Sequence, residues 1–159
     1  MKTLFVVILV AALGWYFWHK QVSGPPQNFE NPVYGEIRAT ADIEGREIEM
    51  AIFVRTGSKL DCETRAAASW ARSLENCPTC KFAPVKRQEQ LSPRYARLFD
   101  DVPIPSTYLS ATAGNAIERD GRVVVYGLTD REGEVVCEQI RSVLLKEYKG
   151  TAHCVKASG

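Results

Sequence analysis

The sequence Gly121-Arg-Val-Val-Val-Tyr126 opens a segment, ending at Lys156, that has the pattern of one complete folding unit. Its run of β-branched residues is typical of a strand that is buried on both faces. A turn follows, and Thr129-Asp-Arg-Glu132 then has the form of a capping box, with a hydroxyl at the N-cap and a carboxylate three residues later. The segment therefore predicts a strand that leads through a turn into a helix.

The predicted helix carries one apolar stripe and is expected to end at Gly150, which can adopt the left-handed conformation favoured after a helix. Residues 151–156 then alternate as a strand, which places Ala152 and Cys154 on one face. Cys137 on the helix can therefore meet Cys154 on the strand. The stripe consists of Val136, Cys137, Ile140, Val143, Leu144 and Tyr148.

The region before this unit repeats its pattern. Residues 34–43 and 47–54 flank Glu44-Gly45-Arg46 and predict a β-hairpin. A helix with one cysteine, Cys62, and a strand with another, Cys80, follow. The offset between the two helix cysteines is nearly the same as the offset between the two strand cysteines. We interpret this as duplication of a hairpin–helix–strand module; the alternative is a chance likeness between two common α+β units.

The connecting region supplies further local signals. Ser58 is placed to cap the first helix, and Ser92-Pro93 opens a shorter one, because proline is favoured at the first helical position. Residues 81–85 predict a strand whose proline confines it to a sheet edge. Residues 107–112 and 116–119 are predicted as two further strands.

These elements predict an α+β fold: a mainly antiparallel sheet with two disulfide-stapled helices and a shorter third. The duplicated module, if present, would be of ferredoxin-like type. Each staple is expected to join a helix to the following strand, as Cys62–Cys80 and Cys137–Cys154. The two loops that these bonds would close are almost equal in length, so the bonds should stabilise the two units to a similar degree. Cys77 is then left over. The alternative is a Cys62–Cys77 bond with Cys80 free.

Residues 1–20 are predicted to be a membrane anchor or a signal peptide, because residues 4–18 are apolar and uncharged. The aromatic sequence Trp15-Tyr-Phe-Trp18 is typical of a membrane interface and favours an uncleaved anchor. The alternative is a signal peptide cleaved near Gly14, within the small-residue sequence Ala12-Leu-Gly14. The first interpretation anchors the chain in the inner membrane with its domain in the periplasm, and the second has it secreted.

The remaining chain divides into a linker and one domain. Residues 21–32 are rich in proline and glycine and predict an extended linker. Residues 33–159 then form the exported, disulfide-containing α+β domain. The chain of 159 residues is 45% hydrophobic and 25% charged, which suffices for one hydrophobic core. Its net charge of only +1 argues against a nucleic-acid partner.

Cys77-Pro-Thr-Cys80 is the motif that comes nearest to known chemistry. A thiol–disulfide oxidoreductase holds its first cysteine at a helix N-terminus, where the dipole lowers the thiol pKa. Here the pair follows the predicted end of a helix, which favours a structural role. Cys77 remains the candidate for a free or redox-active thiol.

The sequence offers little for other catalysis. Its histidines are His19, beside the apolar segment, and His153, which we place on a strand surface. The pair Asp100-Asp101 is explained by a solvated turn. We therefore expect no catalytic residues, no metal and no cofactor, and the protein is not expected to be an enzyme.

A group of basic residues in the middle of the chain is a candidate binding site. A solvated surface is the default interpretation of such residues, and a surface for an acidic partner or a glycan is the functional one. The residues of this predicted surface are Lys81, Lys86, Arg87, Arg94 and Arg97.

Residues 122–157 resemble the second half of a SPOR domain: the strand Arg122-Val-Val-Val-Tyr126, the turn through Glu132, the helix and the closing Cys154-Val155. The resemblance implies a β-α-β-β-α-β sheet on a membrane anchor and linker, and a peptidoglycan partner. This chain departs from that pattern by its cysteines and by the long insert over residues 86–114.

The sequence thus favours a non-catalytic, membrane-tethered envelope module that binds a protein or a cell-wall glycan. Two alternatives stay open: a thiol–disulfide redox protein that uses Cys77 and Cys80, and an exported inhibitor or immunity protein.

Overall fold

The computed structural model describes residues 24–76 and 80–158, without the side chains of residues 67 and 69–76. The predicted anchor or signal peptide and Cys77 therefore lie outside the described residues. Within this range the chain is α+β, with a sheet whose strand pairs are all antiparallel and three α-helices, as predicted. The strands are β1 (Val33–Ile43), β2 (Arg46–Thr56), β3 (Lys81–Phe82), β4 (Lys86–Gln88), β5 (Tyr108–Thr112), β6 (Gly121–Tyr126) and β7 (Thr151–Val155). The helices are α1 (Lys59–Asn76), α2 (Pro93–Ala96) and α3 (Asp130–Leu144), with a 3₁₀ turn over Arg97–Asp100.

The strand order divides the sheet into two halves of the same layout. The order is β3-β1-β2-β6-β5-β7, with β4 pairing with β1 beside β3. In each half a hairpin leads into a long helix, and the returning strand pairs with the first strand of the hairpin. The halves are β1 to β4 with α1, and β5 to β7 with α3; they join where β2 pairs with β6.

Local signals in the sequence account for the starts of these elements. Glu44 and Gly45 have φ angles of 54° and 78°, which are the left-handed values that a two-residue hairpin turn requires. The hydroxyl of Ser58 accepts the backbone N–H of Asp61 at 3.1 Å. Thr129 and Glu132 form the predicted capping box, in which each side chain accepts the other's backbone N–H. The caps therefore lie where the sequence places them.

Several sequence-based boundaries are wrong. Helix α3 ends at Leu144, well before Gly150, and Gly150 is not left-handed. A Cβ atom on Gly150 would lie 2.0 Å from the carbonyl oxygen of Thr112, so close packing explains this glycine. Residues 116–119 belong to the loop between β5 and β6 instead of a strand. The predicted edge strand over residues 81–85 is confirmed at the edge, but only as the short strand β3.

The two faces of the sheet are covered differently. The long helices pack on one face, where α3 lies against Leu109, Ala111 and Ala152. The opposite face carries Phe53, Tyr108 and Val124, which are fully buried because residues 91–104 cross over them. This crossing segment contains α2 and the 3₁₀ turn. The shorter third helix that the sequence predicts therefore closes the second face of the core.

One of the two predicted staples is present. Cys137 and Cys154 form a disulfide with a Cα–Cα distance of 6.0 Å, which joins α3 to β7. Cys62 is a buried free thiol, and Cys80 is disulfide-bonded to a different cysteine. The predicted Cys62–Cys80 bond and its alternative, Cys62–Cys77, are therefore both wrong.

Strand register gives the physical reason for the missing staple. A Cβ atom on Gly35 would lie 2.9 Å from the sulfur of Cys62, so Cys62 sits over the start of β1. Cys80 precedes Lys81, which pairs with Thr40 farther along the same strand. The distance from Gly35 to Thr40 is about 17 Å of strand, whereas disulfides need Cα atoms about 4.4–6.8 Å apart.

The described part of the predicted linker lies against the domain. The carbonyl oxygen of Gly24 accepts the backbone N–H of Ala116 at 3.1 Å. The guanidinium carbon of Arg119 lies 5.3 Å from the centre of the Phe29 ring, and that ring also packs on Gly57. Across the described ranges, no helix combines the length and apolar character needed to span a bilayer.

Candidate functional site

Arg122 on β6 fixes the crossing segment to the sheet. It is 3% exposed, and its guanidinium donates to the carbonyl oxygens of Leu98 at 2.7 Å and Ala111 at 2.8 Å. Its guanidinium carbon also lies 4.7 Å from the centre of the Phe99 ring. Burial lowers the pKa of Arg122, although nearby Asp101 favours the charged form. This arginine is therefore a structural residue that satisfies a carbonyl group of the 3₁₀ turn and one of β5.

A second arginine, Arg38 on β1, organises the more open part of the same face. It donates to the carboxylates of Glu36 and Glu49, and to the hydroxyl of Tyr95 at 2.7 Å. Burial alone would lower the pKa of Arg38, but these hydrogen bonds raise it overall. Glu36 is 4% exposed and also accepts a hydrogen bond from Gln88 at 2.7 Å. A buried carboxylate is thereby paired, and β1, β2, β4 and α2 are linked.

The rim of this network is exposed. Arg94 on α2 is exposed, and its guanidinium carbon lies 5.6 Å from the centre of the Tyr95 ring and 5.9 Å from that of Tyr126. Tyr126 pairs across the strands with Glu49, whose side chain is 34% exposed. We call this surface the aromatic–arginine cluster; it consists of Arg38, Glu49, Arg94, Tyr95 and Tyr126.

Tyr126 carries a buried hydroxyl beside that of Tyr95. It makes no hydrogen bond of standard geometry within the described part of the chain, but the hydroxyl of Tyr95 lies close enough to contribute to its raised pKa. Burial raises the pKa of Tyr126 to about 12, so the hydroxyl stays protonated at neutral pH. A protonated hydroxyl can both donate and accept a hydrogen bond, but this one is shielded from a ligand outside the protein.

The structure separates the predicted basic surface. Lys86 pairs with Glu36 across the strands and therefore belongs to the face of the aromatic–arginine cluster. Arg87 points to the other face, where it forms an ion pair with Glu63 on α1. The remaining residues, Lys81, Arg94 and Arg97, are exposed and lie on β3, α2 and the 3₁₀ turn.

Ser110, His153 and Asp101 are brought close together, which invites comparison with a hydrolytic triad. Ser110 and His153 are cross-strand partners, and Nε2 of His153 lies 3.4 Å from a carboxylate oxygen of Asp101. The hydroxyl of Ser110, however, is fully buried and forms no hydrogen bond with His153. A nucleophile must reach both its base and the substrate. This arrangement therefore does not form a nucleophilic site.

The free thiol is also in an unreactive setting. Cys62 is 2% exposed and borders a small apolar pocket with Gly35 and Val54, beneath α1. Burial raises the pKa of the Cys62 thiol, which disfavours the reactive thiolate. Among the described residues, no three His, Cys, Asp or Glu side chains are grouped closely enough to hold a metal ion.

Sequence reasoning found only Arg94 of the aromatic–arginine cluster. Arg38 and Glu49 sit in a predicted hairpin, where alternating charged residues indicate an exposed face and nothing more. The local sequence gives no signal that Tyr95 and Tyr126 come together, because they are far apart along the chain and belong to different predicted elements.

Comparison of the chain with models of known protein families, with curated proteins and with solved structures gives no match.

Proposed function

We propose that this protein is a non-catalytic, membrane-tethered envelope module that binds a protein or cell-wall partner through the aromatic–arginine cluster. The observation that carries the proposal is an exposed cation on an aromatic surface. Arg94 is exposed over the rings of Tyr95 and Tyr126, and Glu49, whose side chain is 34% exposed, pairs with Tyr126 across the strands. The tether is the apolar segment of residues 4–18.

The chemistry of the cluster favours an acidic glycan as the partner. Arg94 offers a planar cation for a carboxylate, and the partly exposed carboxylate of Glu49 can accept hydrogen bonds from sugar hydroxyl groups. Exposed Lys86 on the same face adds a second cation. Peptidoglycan carries both carboxylates and hydroxyl groups, and the SPOR resemblance points to the same class of partner.

Co-sedimentation of the detergent-solubilised full chain with purified peptidoglycan sacculi tests this proposal. We expect the wild-type chain to pellet with the sacculi and Arg94→Gln to lose most of this binding. Arg131→Gln is the matched control, because Arg131 is also exposed and helical but lies on α3, on the other side of the sheet. Equal binding by all three chains would contradict the site.

A protein partner is distinguished in the same preparation. Capture from envelope extract with wild-type chain and Arg94→Gln would then recover a protein with the first and not with the second. This outcome would favour the inhibitor or immunity alternative if the captured protein is an enzyme whose activity falls. Failure of both assays would contradict the binding proposal.

A redox role is the second candidate, because Cys80 is disulfide-bonded and Cys62 is not its partner. The chain has five cysteines, and Cys137 is bonded to Cys154, so Cys77 becomes the expected partner within the chain. A fast exchange of this bond with glutathione, while Cys137–Cys154 stays intact, would favour the redox protein. Resistance of both bonds would exclude it.

The common layout of the two halves supports an origin by duplication. Both halves run hairpin, helix, returning strand, and the returning strand pairs with the first hairpin strand in each. The strand order is also symmetric about the β2–β6 pair. A duplicated module of this kind agrees with the nearly equal offsets between corresponding cysteines in the sequence.

A further inference from the structure

The exposed apolar side chains are concentrated at one end of the sheet. Among the described residues six large hydrophobic side chains are exposed, and four of them lie at this end. They come from the N-terminus of α1, the loop over residues 113–120, and the C-terminus of α3 with the turn after it. The other two, Ile43 and Val135, lie at the opposite end. The four residues are Leu60 (72% exposed), Ile117 (41%), Val143 (63%) and Leu145 (39%).

Hydrogen bonds hold these three segments together as one surface. The side chain of Arg119 in the loop donates to Asp61 on α1 at 2.8 Å. The side chain of Arg65 on α1 donates to the carbonyl oxygen of Ile117, also at 2.8 Å. The hydroxyl of Tyr148, in the turn after α3, donates to the carbonyl oxygen of Arg119 at 3.0 Å. The apolar side chains are therefore presented by a fixed framework.

The predicted tether enters the domain at the same place. The carbonyl oxygen of Gly24 accepts the N–H of Ala116, which directly precedes Ile117. Trp18, the last aromatic residue of the predicted anchor, is only a short stretch of chain before Gly24. Even when fully extended, that stretch spans at most about 20 Å. An anchor that ends at Trp18 therefore keeps this loop close to the bilayer surface.

The charges of this end also suit a lipid surface. Asp61 accepts hydrogen bonds from Arg65 and Arg119, and although burial opposes the effect, these bonds lower its pKa. Glu118 accepts the backbone N–H groups of Gly114 and Lys149. These two carboxylates therefore already have hydrogen-bond donors within the protein. Exposed Lys146 and Lys149 flank Glu147, and they can approach anionic headgroups.

We propose that this end of the domain, the tethered end, rests on the lipid headgroups with Leu60, Ile117 and Val143 inserted among them. The inference rests on the membrane tether in the proposed function. Exposed apolar side chains beside lysines are the composition of surfaces that bind at the bilayer interface. The tether raises the local concentration of lipid at this end, so a small apolar contribution is enough to dock it.

Docking in this way orients the binding face. Tyr126 is the last residue of β6 and Glu49 lies near the start of β2, so both are at the half of the sheet remote from the tethered end. The aromatic–arginine cluster is thereby held away from the membrane, where a cell-wall partner is found.

Lipid photocrosslinking of the full chain tests the proposal. The chain is reconstituted into vesicles of phosphatidylcholine and phosphatidylglycerol (about 3:1) that contain a trace of lipid with a diazirine at its headgroup end. We expect lipid adducts in residues 57–61, 114–118 and 143–149, and none in residues 43–46 or 130–135. Adducts spread evenly over both ends, or absent from the domain, would overturn the inference.

Two valines on one helix provide the matched control. Val143→Ser should lower the adduct yield at the tethered end several-fold, whereas Val135→Ser, about 12 Å away along α3, should leave it unchanged. Equal effects of the two substitutions would overturn the inference.

Carbonate extraction of the same vesicles separates the two proposals. If the chain stays in the membrane but gives no adducts at the tethered end, the tether is present and the docked orientation is contradicted. A chain that carbonate removes has no anchor, which contradicts both.

Discussion

The two halves of this protein share a layout and differ in how the long helix is secured. In the second half, Cys137 lies in the middle of α3 and bonds to Cys154, which pairs with Leu109 within the β5–β7 ladder. In the first half, Cys62 lies in the first turn of α1, over the start of β1, and remains a free thiol. The comparison shows that equal spacing along the sequence does not give equal positions on the helices.

The register of the returning strand decides whether a staple can form. Strand β7 pairs with all of β5, so its cysteine passes beneath the middle of α3. Strand β3 is very short and pairs with Ala39 and Thr40, far from the part of β1 that Cys62 covers. The first helix is consequently held by packing and ion pairs, and the second by a covalent bond as well.

The largest difference between the halves should appear when the helix cysteines are replaced. Cys137→Ala removes the disulfide and should lower the free energy of unfolding by about 2–5 kcal/mol. Cys62→Ala removes only a small buried thiol and should cost about 1 kcal/mol or less. Chemical denaturation under non-reducing conditions measures both. If both variants lost equally little unfolding free energy, the disulfide would add nothing to the stability of the second half.

The buried arginines give the next contrast. Arg122→Met leaves the carbonyl oxygens of Leu98 and Ala111 without their donor and should cost about 2–3 kcal/mol. Arg38→Met leaves the buried carboxylate of Glu36 with Gln88 as its remaining side-chain partner. Because the side chain of Arg38 is itself 25% exposed, water can enter in its place, and the substitution should cost about 2 kcal/mol. Thermal unfolding of both variants checks the order. A larger loss for Arg38→Met would mean that the first half depends more on its polar network than on its core.

Replacing the helix caps should produce a smaller difference in stability between the two halves. Thr129→Ala removes one side of a reciprocal capping box and should cost about 1–2 kcal/mol. Ser58→Ala removes a single hydrogen bond to Asp61 and should cost about 0.5–1 kcal/mol. Urea denaturation of both variants measures the difference. Thr129→Ser, which keeps the hydroxyl, is the control and should behave like the wild type.

The smallest expected effect depends on pH and lies at a contact between the halves. Hydrogen bonds from Arg46 and from Thr129 lower the pKa of Glu132 from 4.5 to about 2. Because the folded-state pKa is depressed, this contribution is present above pH 4.5 and is lost as the pH falls toward about 2. The melting temperature of Glu132→Gln should therefore lie slightly below that of the wild type at pH 6, with the two converging near pH 2. A constant difference across this range would contradict the assignment.

Local signals in the sequence predict the starts of elements well. The caps at Ser58 and Thr129 and the turn at Glu44-Gly45 each depend on neighbouring residues alone. Their geometry is therefore encoded within a few positions of the chain. The end of α3 could not be predicted in this way, because Gly150 is required by its contact with Thr112 on another strand.

Local signals in the sequence predict little of the candidate site. Arg38, Glu49, Tyr95 and Tyr126 come from four elements, and only the strand pairing of β2 with β6 and the crossing of α2 bring them together. Arg87 is a residue that the sequence assigned to the site and the structure does not. Its neighbours along the chain are basic, so a shared basic surface is predicted, but side chains alternate between the two faces of β4 and that of Arg87 lies against Glu63.

The sequence by itself determined the hairpin turn, the caps, the antiparallel α+β class and the bond between Cys137 and Cys154, because periodicity and capping act over a few residues. Only the tertiary structure decided that Cys62 stays free, that residues 91–104 close the second face, and that the apolar residues of three segments share one end with the backbone contact of Gly24. Those outcomes depend on strand register and on packing between distant segments, and no local pattern in the chain carries that information.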